Sequence, residues 1–193
     1  GLAPFDDAAV YKVSDDIALV STTDFFPPLV DDPSDFGAIA AANACSDVYA
    51  MGGKVLMAVN VAAFPENFPR EAIVAIFAAA SDVMAQAGGS VAGGHTIRNP
   101  EPIFGLAVQG VVNPRHIFRK SGAQVGDDIY VSGNLGDARL ALEVFRGALQ
   151  VPEAVFEHAR LRMEQPTPRV ALGLALRGIA HAAADISDGL LGD

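Results

Sequence analysis

The chain has 193 residues, 51% hydrophobic and 19% charged, which is enough apolar material for a packed core and argues against disorder. Its formal net charge of -10 argues against nucleic acid as a partner, because there is no basic face to release counterions, yet it leaves room for phosphorylated ligands carried by divalent cations. A single cysteine, Cys45, rules out an internal disulfide and fits a reducing cytoplasm; no apolar run reaches membrane-span length, and no signal peptide is visible.

In chain order, "DDAAVYKVSDDIALVSTTD" predicts two strands joined by a turn at Ser14-Asp15-Asp16. "DDPSDFGAIAAANACSDVYAMGG" predicts a helix: Asp and Ser at its start, an apolar stripe of Phe36, Ile39, Ala40, Ala44 and Val48, and Gly52-Gly53 at its end. "KVLMAVNVAAF" reads as a buried strand, and "FPREAIVAIFAAASDVMAQAGG" as a second helix with Pro69 in its first turn. "SVAGG" and "IFGLAVQGVV" are strands on either side of "HTIRNPEP". The order β-β-α-β-α-β-β predicts an α+β layer, two helices covering one face of a sheet. "GDDIYVSG" predicts a further strand with Tyr130 packed, and residues 134–180 predict helices. "HAAADISDGLLGD" predicts a strand end running into a helix. A boundary is expected within Asn113–Ser132, giving an N-terminal domain over 1–120 and a linker strand with a partial second domain over 121–193. The chain opens without methionine and stops inside that last expected helix, so it reads as a fragment.

The candidate chemistry is acidic. Asp6-Asp7 open a strand, Asp24 ends one, and Asp185 and Asp188 sit at a junction. Each alone reads as a cap or turn carboxylate. Asp47 differs: it lies in an alanine-rich helix, one turn after Asn43 and on the same face, where a half-buried carboxylate needs a partner. A hard divalent cation such as Mg²⁺ supplies one. One Cys and four dispersed His form no zinc set, and no EF-hand, Walker A or G-x-G-x-x-G motif occurs. Gly93-Gly94 in "VAGGHTIRNPEP" could expose backbone N–H groups to an anion in a turn, or could simply bend the chain between strands. For His95, directly after them, a general base, a phosphate donor and a core histidine all stay open. Cys45 reads as a small core residue, Lys54 as a solvated strand start, and Arg169 as a first-turn surface residue.

The stretches "DDAAVY", "STTDFF", "VDDPSDFGAIAAANACSDVYAMGGK" and "GGHTIRNPEPIFGLAVQG" together resemble selenophosphate synthetase (selenide, water dikinase) over about residues 6–120. From about Ser132, "SGNLGDARLALEVFRG" and "RMEQPTPRVALGLALRGIAHAAADISDGLLGD" are more similar to thiamine-monophosphate kinase. Both families belong to the aminoimidazole ribonucleotide synthetase-like superfamily. The resemblance implies an N-terminal sheet, mixed or antiparallel and covered by helices, that binds ATP and pairs in a homodimer, followed by the truncated start of a second α+β domain. It implies that Asp7, Asp47 and Asp185 hold Mg²⁺, that Asp24 and Asn43 line the nucleotide site, and that Gly93, Gly94, His95 and Thr96 meet the phosphates. The reactive Cys or selenocysteine and Lys of the dikinases lie on an arm this sequence does not show, and neither Cys45 nor Lys54 matches them.

The expected activity is therefore a cytoplasmic, Mg²⁺-dependent phosphotransferase using ATP, with selenide as acceptor and AMP and phosphate as products. Thiamine-monophosphate kinase is the alternative: "QPTPRVALG" favours it, while His95 stands where that family carries aspartate. A nucleotide-binding fragment without turnover is the third.

Overall fold

The computed structural model describes residues 6–193. The elements run β1 (Ala9–Lys12), β2 (Ala18–Phe26), α1 (Pro33–Ala50), β3 (Lys54–Phe64), α2 (Arg70–Gln86), β4 (Ser90–Arg98), β5 (Ile103–Val112), α3 (Asp137–Phe145), α4 (Glu153–Glu164) and α5 (Val170–Ala175). The first seven reproduce the expected order, and the fold is the expected α+β layer. The five strands form one mixed sheet in the order β1-β2-β5-β3-β4, antiparallel except for the β3–β4 pair.

Helix α1 starts where Asp32 accepts hydrogen bonds from the Ser34 and Asp35 N–H groups, and Pro33 occupies its first turn. It ends at Gly52, whose positive φ of 71° supplies the left-handed residue that closes a helix. The predicted stripe is buried, and with Ile76, Ala80 and Met84 of α2 and Val20, Phe104, Leu106 and Val108 of the sheet it forms the main core. At Gly37 the two helices all but touch: a Cβ there would lie 2.2 Å from the Ile76 carbonyl oxygen.

Both helices cover the same sheet face. Along β2 the buried and exposed residues alternate, so Ala18, Val20, Thr22, Asp24 and Phe26 look toward the helices while Leu19, Ser21, Thr23 and Phe25 look away. The opposite face is open. It carries Tyr11, Leu19 and Phe25, with Met57, Val61 and Val111 on the neighbouring strands by register.

Three sequence expectations are corrected. Residues 126–133 form no strand: Ile129 and Tyr130 are 92% and 86% exposed, and no neighbouring strand lends them its backbone. The stretch after Asp185 forms no helix; the Asp188 and Gly189 N–H groups are taken instead by the Asp193 carboxylate. And β4 runs from Ser90 to Arg98, with one irregularity in its pairing between Ala58 and Val59 of β3, so Gly93-Gly94-His95-Thr96 is edge strand rather than a turn between strands.

The tail docks on the first layer. Helices α3 and α4 pair around Ala141, Ala159 and Met163, against Val30. Arg177 donates to the Gly52 carbonyl at the C-terminal end of α1, and Gly173 lies against Tyr49. Docking of the tail brings Asp185 toward α1.

Candidate functional site

The helix-facing row of β2 is apolar at Ala18 and Val20 and then turns polar at Thr22 and Asp24. Helix α1 lies directly above. Its face turns polar at Asn43, Ser46 and Asp47, all half-buried. The Thr22 hydroxyl donates to Asp47 Oδ2 and joins the two elements. From the tail, Asp185 comes into the neighbourhood of Ser46, the residue next to Asp47. From the start of the chain comes Asp7, whose side chain is only 4% exposed.

Four carboxylates therefore share one neighbourhood, and their ionisation shows it. Burial pushes Asp47 up to about 7; the Thr22 hydrogen bond opposes this, and the charges of Asp185, Asp24 and Asp7 reinforce it. Asp185 is raised by burial and then by Asp7, Asp193 and Asp24, against the lowering influence of the nearby Ser46 hydroxyl. Asp24 is raised by burial and by Asp188. Lys120 offsets part of this charge. Its ammonium pairs with Asp7 Oδ1 at 2.6 Å, while Asp7 Oδ2 is buried with no hydrogen-bond partner among the described residues.

Among the described residues, no three His, Cys, Asp or Glu side chains are drawn together as a ready metal cage. The donor set still fits a hard cation. It consists of carboxylate oxygens, one of them buried and without a partner among the described residues, and burial, reinforced by the neighbouring carboxylates, holds Asp47 above its ordinary value. Mg²⁺ keeps several waters and needs only a few carboxylates, so an open arrangement suits it better than a closed one would.

The glycine segment lies at the other side of the sheet. Asp24 pairs with Leu106, Leu106 with Asn60, and Asn60 with Gly94, so these four form one row under the helices. Three strand spacings separate its ends, about 14 Å. Gly94 has φ 148°, and a Cβ on it would lie 2.5 Å from both the N and O of Asn60. The glycine is thus required by the close approach of β4 to β3. Thr96 sits opposite Ala62 on the helix side, and His95 opposite Val61 on the open side. Within one chain the structure does not bring His95 to the carboxylates, and its exposure removes the core-histidine reading.

Cys45 is fully buried and its thiol is pushed up to about 12 by burial, so it is no nucleophile. Lys54 and Arg169 are exposed, as expected. Three partners of the carboxylates were not anticipated. Thr22 was legible from the two-residue period of "STTD", and Ser46 from its place beside Asp47. Lys120 had no signal, because only folding brings it to Asp7. The surface hollow lined by Val144, Leu149 and Phe156 lies on the α3–α4 hairpin and holds none of these residues.

Comparison with known proteins places this geometry in context. The chain is 45% identical to a selenide, water dikinase of Paraburkholderia xenovorans over 97% of its own length and 52% of the relative's. It is 44% identical to that of Burkholderia ambifaria over 100% of its length and 54% of the relative's. The likeness to dikinases therefore runs through the tail rather than stopping near Lys120, and the chain spans about half the length of these curated relatives. The solved structures it resembles include thiamine-monophosphate kinase from Stenotrophomonas maltophilia, 37% identical, with a TM-score of 0.83 over 100% of this chain and 63% of that one. Another is AaThiL complexed with AMPPCP and TMP, 26% identical, with a TM-score of 0.86 over 97% of this chain and 62% of that one. Residues 5–112 match the family described as AIR synthase related protein, N-terminal domain, and the chain belongs to that family.

Proposed function

We propose that this chain supplies the metal- and nucleotide-binding side of an ATP- and Mg²⁺-dependent phosphotransferase, the reaction being formation of selenophosphate from selenide and ATP, with AMP and phosphate as the other products. The observation that carries the reading is the gathering of Asp7, Asp24, Asp47 and Asp185 around one polar patch between α1 and β2, with Asp47 pushed up to about 7. The identity of 44–45% to selenide, water dikinases along nearly the whole chain supports selenide as the acceptor.

Mg²⁺ bound here would neutralise the polyphosphate and stabilise charge in a loose phosphoryl-transfer transition state. Asp7, Asp47 and Asp185 are the residues that would hold it. Thr22 orients Asp47 through its hydrogen bond, and the Ser46 hydroxyl stands near Asp185. Asp24 and Asn43 flank the same patch from β2 and α1 and would position the nucleotide. Gly94 and Thr96, at the far end of the row, would meet a ligand stretched across the sheet. His95 would join only where a second sheet closes over the open face, and that apolar face supports a homodimer. No helix among the described residues is long and apolar enough to cross a membrane. In the proposed reading the enzyme is cytoplasmic, residues 1–120 form its ATP-binding and dimerisation unit, and 121–193 begin a second domain.

Thiamine-monophosphate kinase is the second reading, favoured by the 37% identity to a solved member that superposes along the whole of this chain and by the TMP complex of another. Calorimetric titration with a non-hydrolysable ATP analogue, with and without Mg²⁺, tests the shared part. Binding that needs Mg²⁺ and disappears in Asp47→Ala is expected; Mg²⁺-independent binding, or binding unchanged in that variant, would sink it. Selenide-dependent AMP formation against thiamine-monophosphate-dependent ADP formation then decides the acceptor. Nucleotide binding with neither activity would favour a binding module.

A further inference from the structure

Asp7 is only half satisfied. Oδ1 accepts from the Lys120 ammonium, while Oδ2 is buried and has no hydrogen-bond partner among the described residues. Beside it, Asp6 accepts the Lys120 backbone N–H at 2.9 Å and pairs with the Arg119 guanidinium at 3.3 Å. Backbone and side chains of residues 119–120 are thus fastened to the Asp6-Asp7 pair. The Lys120 side chain is 36% exposed, so its ammonium has solvent into which it can move.

A buried carboxylate oxygen without a donor has lost water and gained nothing. A divalent cation on Oδ2 would satisfy it and would also place two positive charges within a few ångströms of the ammonium. At that range the repulsion exceeds thermal energy even in a high dielectric. The Lys120–Asp7 contact then becomes unfavourable, and the flexible lysine stem lets the charge swing away.

We infer that Lys120 is an exchangeable counter-ion of this site: it neutralises Asp7 while no divalent cation is bound, and on cation binding it leaves Asp7 to contact the phosphates of the nucleotide. This rests on the phosphotransferase reading above. Lysine suits both tasks, being a compact point charge on a flexible stem and an effective phosphate binder. The two roles have opposite signs. Lys120 competes with the metal and cooperates with the phosphates.

The test compares Lys120→Met and Lys120→Arg with the parent chain, titrated first with Mg²⁺ alone and then with the ATP analogue at saturating Mg²⁺. For Lys120→Met we expect Mg²⁺ alone to bind about fivefold tighter, the scale of losing one partly exposed ion pair. The analogue should bind about tenfold more weakly, the scale of one charge-assisted phosphate contact. Lys120→Arg should return both affinities toward the parent. A Met variant that binds Mg²⁺ no tighter than the parent overturns the inference, as does one that loses metal and nucleotide affinity together, the signature of a purely structural latch. Circular dichroism checks folding, and Lys120→Gln replaces the Met variant if that chain does not fold. Metal binding by the parent that the substitution leaves unchanged defeats this inference alone; a parent chain that binds neither Mg²⁺ nor analogue defeats the phosphotransferase reading and this inference with it.

Discussion

Asp47 should be worth more to the ligand-free protein as asparagine. Its carboxyl is pushed up from 3.8 to about 7, so the folded chain binds a proton between those values that the unfolded chain has released. Stability from this group is complete below the unfolded value and is lost as pH rises through the folded one. A shift of about three units corresponds to about 4 kcal/mol at most. Asp47 is only half-buried, and solvent screening brings the figure to about 2 kcal/mol. Asp47→Asn keeps the shape and an oxygen to accept from Thr22 but carries no charge. At pH 8 without divalent cations it should melt about 4–8 °C above the parent, given about 2–4 °C per kcal/mol for a chain of this size. At pH 3, below the unfolded value, the two should melt together. Magnesium should reverse the order at pH 8, since only the parent gains from binding. Thermal unfolding followed by circular dichroism at both pH values gives all the comparisons. An asparagine variant less stable than the parent at pH 8, or offset equally at both pH values, would refute the reasoning.

Gly37→Ala drives a methyl group onto the Ile76 carbonyl and must part α1 from α2; a loss of about 1–3 kcal/mol is expected in urea unfolding, and a neutral result would show that the crossing is loose. On the proposed homodimer, Phe25→Asp on the open sheet face should leave the far-ultraviolet circular dichroism unchanged while shifting sedimentation from dimer to monomer; a dimer that persists would place the contact elsewhere, and a monomeric parent would refute the pairing. Cys45, fully buried with its thiol held at about 12, should react with Ellman's reagent only at the rate of global unfolding, and fast labelling under native conditions would contradict the packing.

The layer of sheet and helices was legible because its signals are local. The stripe from Phe36 to Val48, the Asp32 cap and the closing glycines each act within a turn of helix. Asp47 also stood out locally, as a charge among alanines. The misreadings arise where a partner decides the outcome. "IYV" has strand chemistry, but no neighbouring strand pairs with it, and its side chains lie in solvent. Gly93-Gly94 looks like a turn, yet the same freedom of φ serves an edge strand drawn close against Asn60. Lys120 is the extreme case, since it meets Asp7 only after both ends of the β-layer have folded.

The row from Asp24 through Leu106 and Asn60 to Gly94 has a further consequence. Loops can adjust their reach, but strand spacings cannot, because backbone hydrogen bonds fix them. The sheet therefore acts as a ruler whose marks are its own strands, with a carboxylate at one end and a bare backbone at the other. If the proposed ligand spans this row it must reach about 14 Å, and the sheet would then screen length before any side chain reads its chemistry.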